Sequence, residues 1–284
     1  MSHAGAGLIR PSRAAVRCGQ PRRAEEEDMA YTQRKQEIIN LLKNSDEALS
    51  IDLLCDRIYA SRSTIRRDLI QMENEGLIVR HFGAVSLTPS SSKENTAVYR
   101  GLENTEKKTA IARSASTLLH DNMVLFLDSS STASYLVPYL SSHENLTVIT
   151  NSIDSALKLN SAAGVTCFLC PGKVKHNSYS IIGDFACTFL DNFRADLAIL
   201  SCKAISPSGL YEGDDAQAMI KRHMMQQAEK TVALCDSTKE NCQGFIRLCT
   251  FQDIHLLISD SPFSETVTAA VKEAGCSLIT GDRV

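Results

Sequence analysis

The chain has 284 residues, of which 43% are hydrophobic and 22% charged. That is too apolar for a largely disordered chain and sufficient for one or two cores. Thirty basic and 33 acidic residues leave a net charge of −3, which argues against a surface coated with positive charge for nucleic acid. No apolar run reaches the ~20 residues of a membrane helix, so a cytoplasmic protein with no membrane partner is expected. Ten cysteines are scattered along the chain, several of them inside apolar runs such as Cys167, Cys170 and Cys235. They read as reduced core thiols.

Residues 1–28 hold five arginines, two prolines and the run Glu25-Glu26-Glu27-Asp28 without a helical or strand period. They read as a disordered leader or an over-long start upstream of Met29. A compact unit is expected over 30–88. Ile38, Ile39, Leu41 and Leu42 share one side of a helix over 33–44. Ser50 is placed to cap a second, short helix carrying Ile51, Leu54 and Ile58. A third helix begins after Ser61 and buries Ile65, Leu69 and Met72, with Gly76 as its stop. Two short strands, 77–79 and 84–87, then flank a turn at His81-Phe82-Gly83. Three helices and a hairpin are the outline of a winged helix-turn-helix.

A polar, Ser-rich linker is expected over 89–103, and a second domain over 104–284. There, helices at 107–119, 132–140, 153–160, 183–192, 214–229 and 265–274 alternate with apolar strands at 123–127, 146–149, 165–170, 197–200, 232–235, 255–259 and 277–279. Continuous apolar strands between helices predict a mostly parallel sheet covered on both faces, hence an α/β class. Ligands of such sheets bind at the carboxyl ends of the strands.

The third helix carries the DNA chemistry. Ser61, Ser63 and Thr64 stand at its N-terminus, where free backbone N–H groups and the helix dipole favour a phosphate. Arg62 and Arg66 share a face and Arg67 flanks it, opposite the apolar stripe. Guanidinium outward and apolar inward suits a recognition helix in a major groove of double-stranded DNA. Arg80 and His81 on the hairpin are within reach of the backbone or minor groove. The competing reading is a solvated cationic helix whose charges pair with Asp68, Glu73 and Glu75. Residues 29–88 hold eight basic and eight acidic residues, so binding is expected to be local and groove-directed.

Residues 33–87 resemble the DeoR family of bacterial transcriptional regulators. The resemblance rests on Ser61-x-x-Thr64-Ile65-Arg66-Arg67-Asp68-Leu69, Glu73-x-x-Gly76 and Arg80-His81-x-Gly83-Ala84. Phe82 stands where the family carries a glycine. The resemblance continues to about residue 260. It implies an effector domain similar to the ribose-5-phosphate isomerase fold, a repressor of a carbohydrate or polyol operon, and release by a phosphorylated sugar. It also implies a homo-oligomer, a dimer or tetramer, whose paired helices meet half-sites about one helical turn, or multiples, apart.

Strand ends supply the candidate effector site. Asp128-Ser129-Ser130-Ser131-Thr132 sets hydroxyls and backbone N–H groups at a helix start, a natural phosphate seat or an empty N-cap. Thr150-Asn151, Gly172-Lys173 and Asp236-Ser237-Thr238-Lys239 follow other strands, and Lys221 lies on a helix. This mix suits a polyhydroxylated anion. The resemblance implies effector binding by Asp128, Ser129, Ser130, Ser131, Thr132, Thr150, Asn151, Gly172, Lys173, Lys221, Asp236 and Lys239. Departures from the family pattern are Ser130 and Pro171 for glycines, Gln217 for a glutamate, and Lys203-Ala204-Ile205 for Asp-Gly-Ile. They imply an unusual effector or weaker phosphate binding.

Cys167-x-x-Cys170 lacks a second pair or nearby histidines at zinc spacing, so no metal and no cofactor are expected. The rival to a regulator is a sugar-phosphate isomerase-like enzyme using Asp128, Asp236 and Lys239 for acid–base work. No proton-abstracting base is evident, so no catalytic residue is assigned and a non-enzyme is expected.

Overall fold

A computed structural model describes residues 21–43, 45, 48–87, 97–176 and 178–281. The chain divides into two compact units, Met1–Thr88 and Pro89–Val284.

The first unit opens with α1 (Pro21–Lys43). The irregular leader expected over 1–28 is therefore helical from Pro21 onward. Proline suits a first helical position, whose N–H needs no partner, and the following glutamates are good helix formers. Residues 1–20 lie outside the described residues. A two-residue strand β1 (Leu49–Ser50) leads into α2 (Ile51–Ile58), where the Ser50 hydroxyl accepts the Leu53 N–H. Tyr59 ends α2 in the left-handed region, at φ 54°. Then come α3 (Arg62–Asn74), β2 (Ile78–Arg80) and β3 (Ala84–Leu87). Gly76, at φ 71°, closes α3, and the Leu77 N–H reaches back to Met72 O at 3.0 Å. The strands pair antiparallel in the order β1-β3-β2. Ile38, Ile39, Leu54, Ile65, Leu69, Met72 and Val85 fill one core, each at most 1% exposed. A winged helix-turn-helix results, as its apolar periods predict.

The second unit starts with α4 (Ala97–Leu102), inside the segment expected to be a linker. Residues 88–96 lie outside the described residues. In order follow α5 (Thr105–Ser116), β4 (Val124–Leu127), a 3-10 turn at Ala133–Leu136, α6 (Val137–Leu140), β5 (Leu146–Thr150), α7 (Ile153–Leu159) and β6 (Val165–Leu169). A hairpin β7 (Lys173–Val174) and β8 (Ile181–Ile182) leads to α8 (Asp184–Leu190) and β9 (Ala195–Ser201). Then come β10 (Ala204–Ser206), β11 (Gly209–Glu212), α9 (Asp215–Gln226), β12 (Ala228–Leu234) and β13 (Ile246–Cys249). The unit ends with β14 (Leu256–Ser259), α10 (Glu265–Glu273) and β15 (Ser277–Thr280).

Seven strands form one parallel sheet in the order β15-β14-β12-β9-β4-β5-β6. Alternate residues of β4 serve opposite faces. Leu125 and Leu127 pack in the layer with α5 and α6, while Phe126 packs with α8 and α9. The strand order reverses between β4 and β9, because the chain builds outward from β4 to β6 and then returns to β9. That reversal opens a crevice beyond the carboxyl ends of β4 and β9, where ligands of open α/β sheets bind. The small antiparallel sheet β10-β11-β13 borders it. These short strands escape a sequence reading because they alternate too briefly to carry a period.

Candidate functional site

In the first unit, Ser61 caps α3. Its hydroxyl accepts the Thr64 N–H at 3.2 Å and lies within 2.9 Å of the Ser63 and Thr64 hydroxyls. The acidic residues of α3 are committed elsewhere. Asp68, 2% exposed, takes a bidentate pair from Arg34 at 2.7 and 3.2 Å. Glu75 accepts from Tyr31 and Lys35, and Glu73 holds Arg80 at 2.6 Å. The Arg80 guanidinium keeps the Glu73 carboxyl below its ordinary range. Arg62 pairs with Asp52 at 2.8 Å across the surface. Arg66 and Arg67 are exposed, and among the described residues neither has an ion-pair or hydrogen-bond partner. Asp68, Glu73 and Glu75 are therefore not the partners of these two arginines. On the wing, the His81 ring meets the Ser86 hydroxyl at 3.0 Å. Phe82 at the tip is fully exposed beside Gly83, which takes φ 79°.

In the second unit, Asp128 follows β4 with no exposed surface and organises the crevice. One carboxylate oxygen accepts from the Ser130 N–H and hydroxyl at 3.1 and 2.5 Å. The other accepts the Ser201 N–H at 3.3 Å and meets Lys221 at 2.8 Å. Ser130 adopts no positive φ, so its replacement of a glycine costs no backbone strain. Its hydroxyl also accepts the Ala133 N–H, which leaves Ser130 a brace for the loop. Among the described residues nothing accepts from the backbone N–H of Ser131 or Thr132.

Two ammonium groups flank this loop. Lys108, on α5, donates to Ser131 at 3.2 Å and to the Arg100 carbonyl. Lys239 donates to Thr132 at 3.2 Å and Ser201 Oγ at 2.6 Å, with Asp236 at 3.6 Å. Burial, and then repulsion from Lys239, pushes Lys108 down to about 8. Asn104, which caps α5, reaches Thr238 at 3.0 Å and Asp236 at 3.4 Å. Glu212 and Gln217 complete the wall. Ammonium donors together with carboxylate and amide acceptors around one crevice can hold a phosphate and hydroxyl groups at once.

The expected site residues do not all meet here. Ser129, Ser130, Ser131, Thr132, Lys221, Asp236 and Lys239 line the crevice. Asp128, Thr150 and Asn151 support it from beneath. The Thr150 hydroxyl donates to Leu127 O at 2.7 Å, and the Asn151 amide donates to Ser129 Oγ at 3.1 Å and Ile181 O at 3.0 Å. The Asn151 side-chain Oδ1 is buried and has no partner among the described residues. Lys221 is a counter-ion: its ammonium is enclosed by Asp128, by Glu212 at 2.5 Å and by Ser201 O at 2.6 Å. Burial disfavours that charge, yet the two carboxylates outweigh it and hold Lys221 above its ordinary range.

Gly172 and Lys173 stand apart and do not line the crevice. They follow the edge strand β6, two strands from β4 and so about 10 Å away by strand spacing. Gly172 takes φ 143°, and a Cβ there would lie 2.8 Å from the Ile182 carbonyl. It serves the β7–β8 hairpin. Lys173 is exposed on β7.

Lys108 and Glu212 are site residues that the sequence reading misses. The signal for Lys108 is a lysine on the stripe with Ile111, Ala112 and Ala115, where it is 3% exposed. No group of metal-ligating residues occurs among the described residues, and Cys170 and Cys235 are buried while Cys167 is half-buried.

A winged helix with free arginines and a polar crevice at a sheet reversal define a two-part DNA-binding regulator. Comparison with known proteins agrees. A DeoR-like helix-turn-helix domain is matched over residues 34–90 and a DeoR C-terminal sensor domain over 103–261. The HTH-type transcriptional regulator GolR of Listeria innocua is 32% identical over 86% of this chain and 96% of its own. The HTH-type transcriptional repressor GlcR of Bacillus subtilis is 30% identical over 82% and 89%. The glycerol-3-phosphate regulon repressor of Escherichia coli is 29% identical over 82% and 92%. The chain belongs to the DeoR family of DNA-binding transcriptional regulators. A ribose 5-phosphate isomerase from Methanocaldococcus jannaschii overlays at TM-score 0.35 with 18% identity over 48% of this chain and 55% of that one, which decides nothing about activity.

Proposed function

We propose that this regulator is a repressor acting in the cytoplasm, without catalytic activity, that releases DNA when a phosphorylated sugar or polyol enters the crevice. The observation that carries the ligand class is the pair Lys108 and Lys239. The buried Lys108 ammonium and the half-buried Lys239 ammonium repel each other across hydroxyls and unpaired N–H groups of the 128–132 loop. A phosphate between them relieves the repulsion, and Glu212, Gln217, Asn104 and Asp236 remain for hydroxyl groups. Names of relatives support the same class, since one is a glycerol-3-phosphate regulon repressor. Arg66 and Arg67 enter the major groove, with Ser61, Ser63, Thr64, Arg62, Arg80 and His81 touching the DNA backbone. The protein works as a homo-oligomer so that two recognition helices meet two half-sites.

The test is fluorescence anisotropy of a duplex selected by the full-length protein from a randomised pool. A panel of sugar and polyol phosphates is titrated in, with the unphosphorylated parents as controls. Release by a phosphorylated compound alone supports the proposal. Release by none, or equally by the parents, overturns it, and turnover of any of them restores the enzyme reading.

A further inference from the structure

Cys202 and Cys235 play no part in the function above, yet they form a close pair of thiols. Cys202 follows β9 and Cys235 follows β12, and these parallel strands pair Ser201 with Leu234 in the preceding register position. Their sulfurs are 3.6 Å apart. Neighbouring strands lie about 4.8 Å apart. A disulfide spans Cα separations of roughly 4.4–6.8 Å, a range that includes the spacing of neighbouring strands, and its sulfurs must close to about 2.05 Å. Cys202 lines the crevice, and Cys235 is wholly buried behind it. The neighbouring Cys235 sulfur holds the Cys202 thiol below its ordinary range, against the burial that would raise it.

The flanking residues give such a bond consequences. Ser201, before Cys202, holds Lys221 through its carbonyl and Lys239 through its hydroxyl, and donates to Leu234 O at 2.5 Å. Asp236, after Cys235, accepts from Asn104 and Thr238 and faces Lys239. Drawing the sulfurs together therefore pulls on two of the three anchors of Lys239, Ser201 and Asp236.

We propose that Cys202 and Cys235 form a reversible disulfide that places the sensor crevice under redox control. The proposal rests on the crevice being the phosphate site. The oxidant is a hydroperoxide small enough to enter. The Cys202 thiolate attacks one peroxide oxygen, the O–O bond breaks, and the other oxygen leaves with a proton as water or an alcohol. The Cys235 thiol then attacks the Cys202 sulfenic sulfur, the S–O bond breaks, and water leaves. Two thiols and one hydroperoxide thus give one disulfide, one alcohol or water, and one further water. A dithiol reverses the step, and a bound ligand covering Cys202 slows it.

Peroxide treatment of the full chain, alkylation and peptide mapping test the bond, while calorimetry with inorganic phosphate tests its effect. The expected result is a peptide pair joining Cys202 and Cys235, cleaved by dithiothreitol. It is accompanied by about tenfold weaker phosphate binding, the equivalent of one charge-assisted hydrogen bond. Cys235→Ala should keep its phosphate affinity through the same treatment. Oxidation confined to exposed Cys242, or a pair joining Cys202 to Cys249, overturns the proposal in a protein that binds phosphate. So does the expected bond without any change in that binding. Reduced protein that binds no phosphate at any pH overturns the crevice reading instead, and with it the control.

Discussion

Replacing Lys221 by methionine separates a structural counter-ion from a ligand. Its ammonium sits 2.8 Å from Asp128, 2.5 Å from Glu212 and 2.6 Å from Ser201 O, all buried. Methionine fills the volume but strands two carboxylates away from water. Breaking a buried pair in this way costs about 3–5 kcal/mol. For a unit of this size, 1 kcal/mol moves Tm by about 2–4 °C, so a fall of about 6–20 °C is expected by scanning calorimetry. Adding Glu212→Gln should recover part of the loss, because one stranded charge is then removed, and the coupling in the cycle should fall within about 0.5–3 kcal/mol. The reasoning is refuted if Lys221→Met melts within about 2 °C of the parent and loses phosphate affinity instead. Lys221 would then be a ligand of the effector.

Other consequences are sharper in binding than in stability. Arg66→Ala and Arg67→Ala should each lower the salt slope of DNA binding by about one unit where the arginine neutralises a phosphate, and should cost about 1–3 kcal/mol where it hydrogen-bonds a base; unchanged affinity and slope in the double variant would remove α3 as the recognition helix. Phosphate affinity should fall as pH rises through about 8, where Lys108 loses its proton, and Lys108→Met should flatten that profile while weakening binding below it. The same lysine affects stability with the opposite sense of pH. Its folded value lies below the ordinary 10.5, so the unfolded chain holds more protons between the two and stability rises with pH across that window. Arg34→Leu strands the buried Asp68 and should cost the first unit about 3 kcal/mol or more by denaturant titration. Gly172→Ala should lower Tm through backbone strain at φ 143° yet leave phosphate affinity alone, contrary to a role at the effector site.

Strong periods are legible without the structure. Apolar stripes and caps place the three helices and the hairpin of the first unit, and continuous apolar runs place β4, β5, β9, β12 and β14. Sheet order is not legible, and it decides which strand ends meet. Lys173 and Lys239 look equivalent along the chain, each in a polar cluster just after a strand. In the sheet, β6 is an edge strand, whereas β12 neighbours β9 at the reversal. Only the second cluster reaches the crevice. Lys221 illustrates a different gap. A lysine near a phosphate-like loop suggests ligand binding, and only the hairpin that delivers Glu212 reveals that its charge is already spent.

The distribution of free charge ties the two units to their tasks. In the first unit, the carboxylates of α3 and of Glu75 just after it are drawn to Arg34, Tyr31, Lys35 and Arg80, so near-neutral composition still leaves two guanidiniums open on one helix. In the second, Lys221 pairs with both Asp128 and Glu212, which weakens the field those carboxylates project to the rim. Lys108 and Lys239 are then left facing the 128–132 loop with incomplete compensation, and their repulsion is a cost of the empty crevice. An anion bound as proposed would remove that cost only in the conformation that brings both ammoniums together. It would therefore bind that conformation better than any other, and such a difference in affinity is what allows a ligand to shift a protein between states.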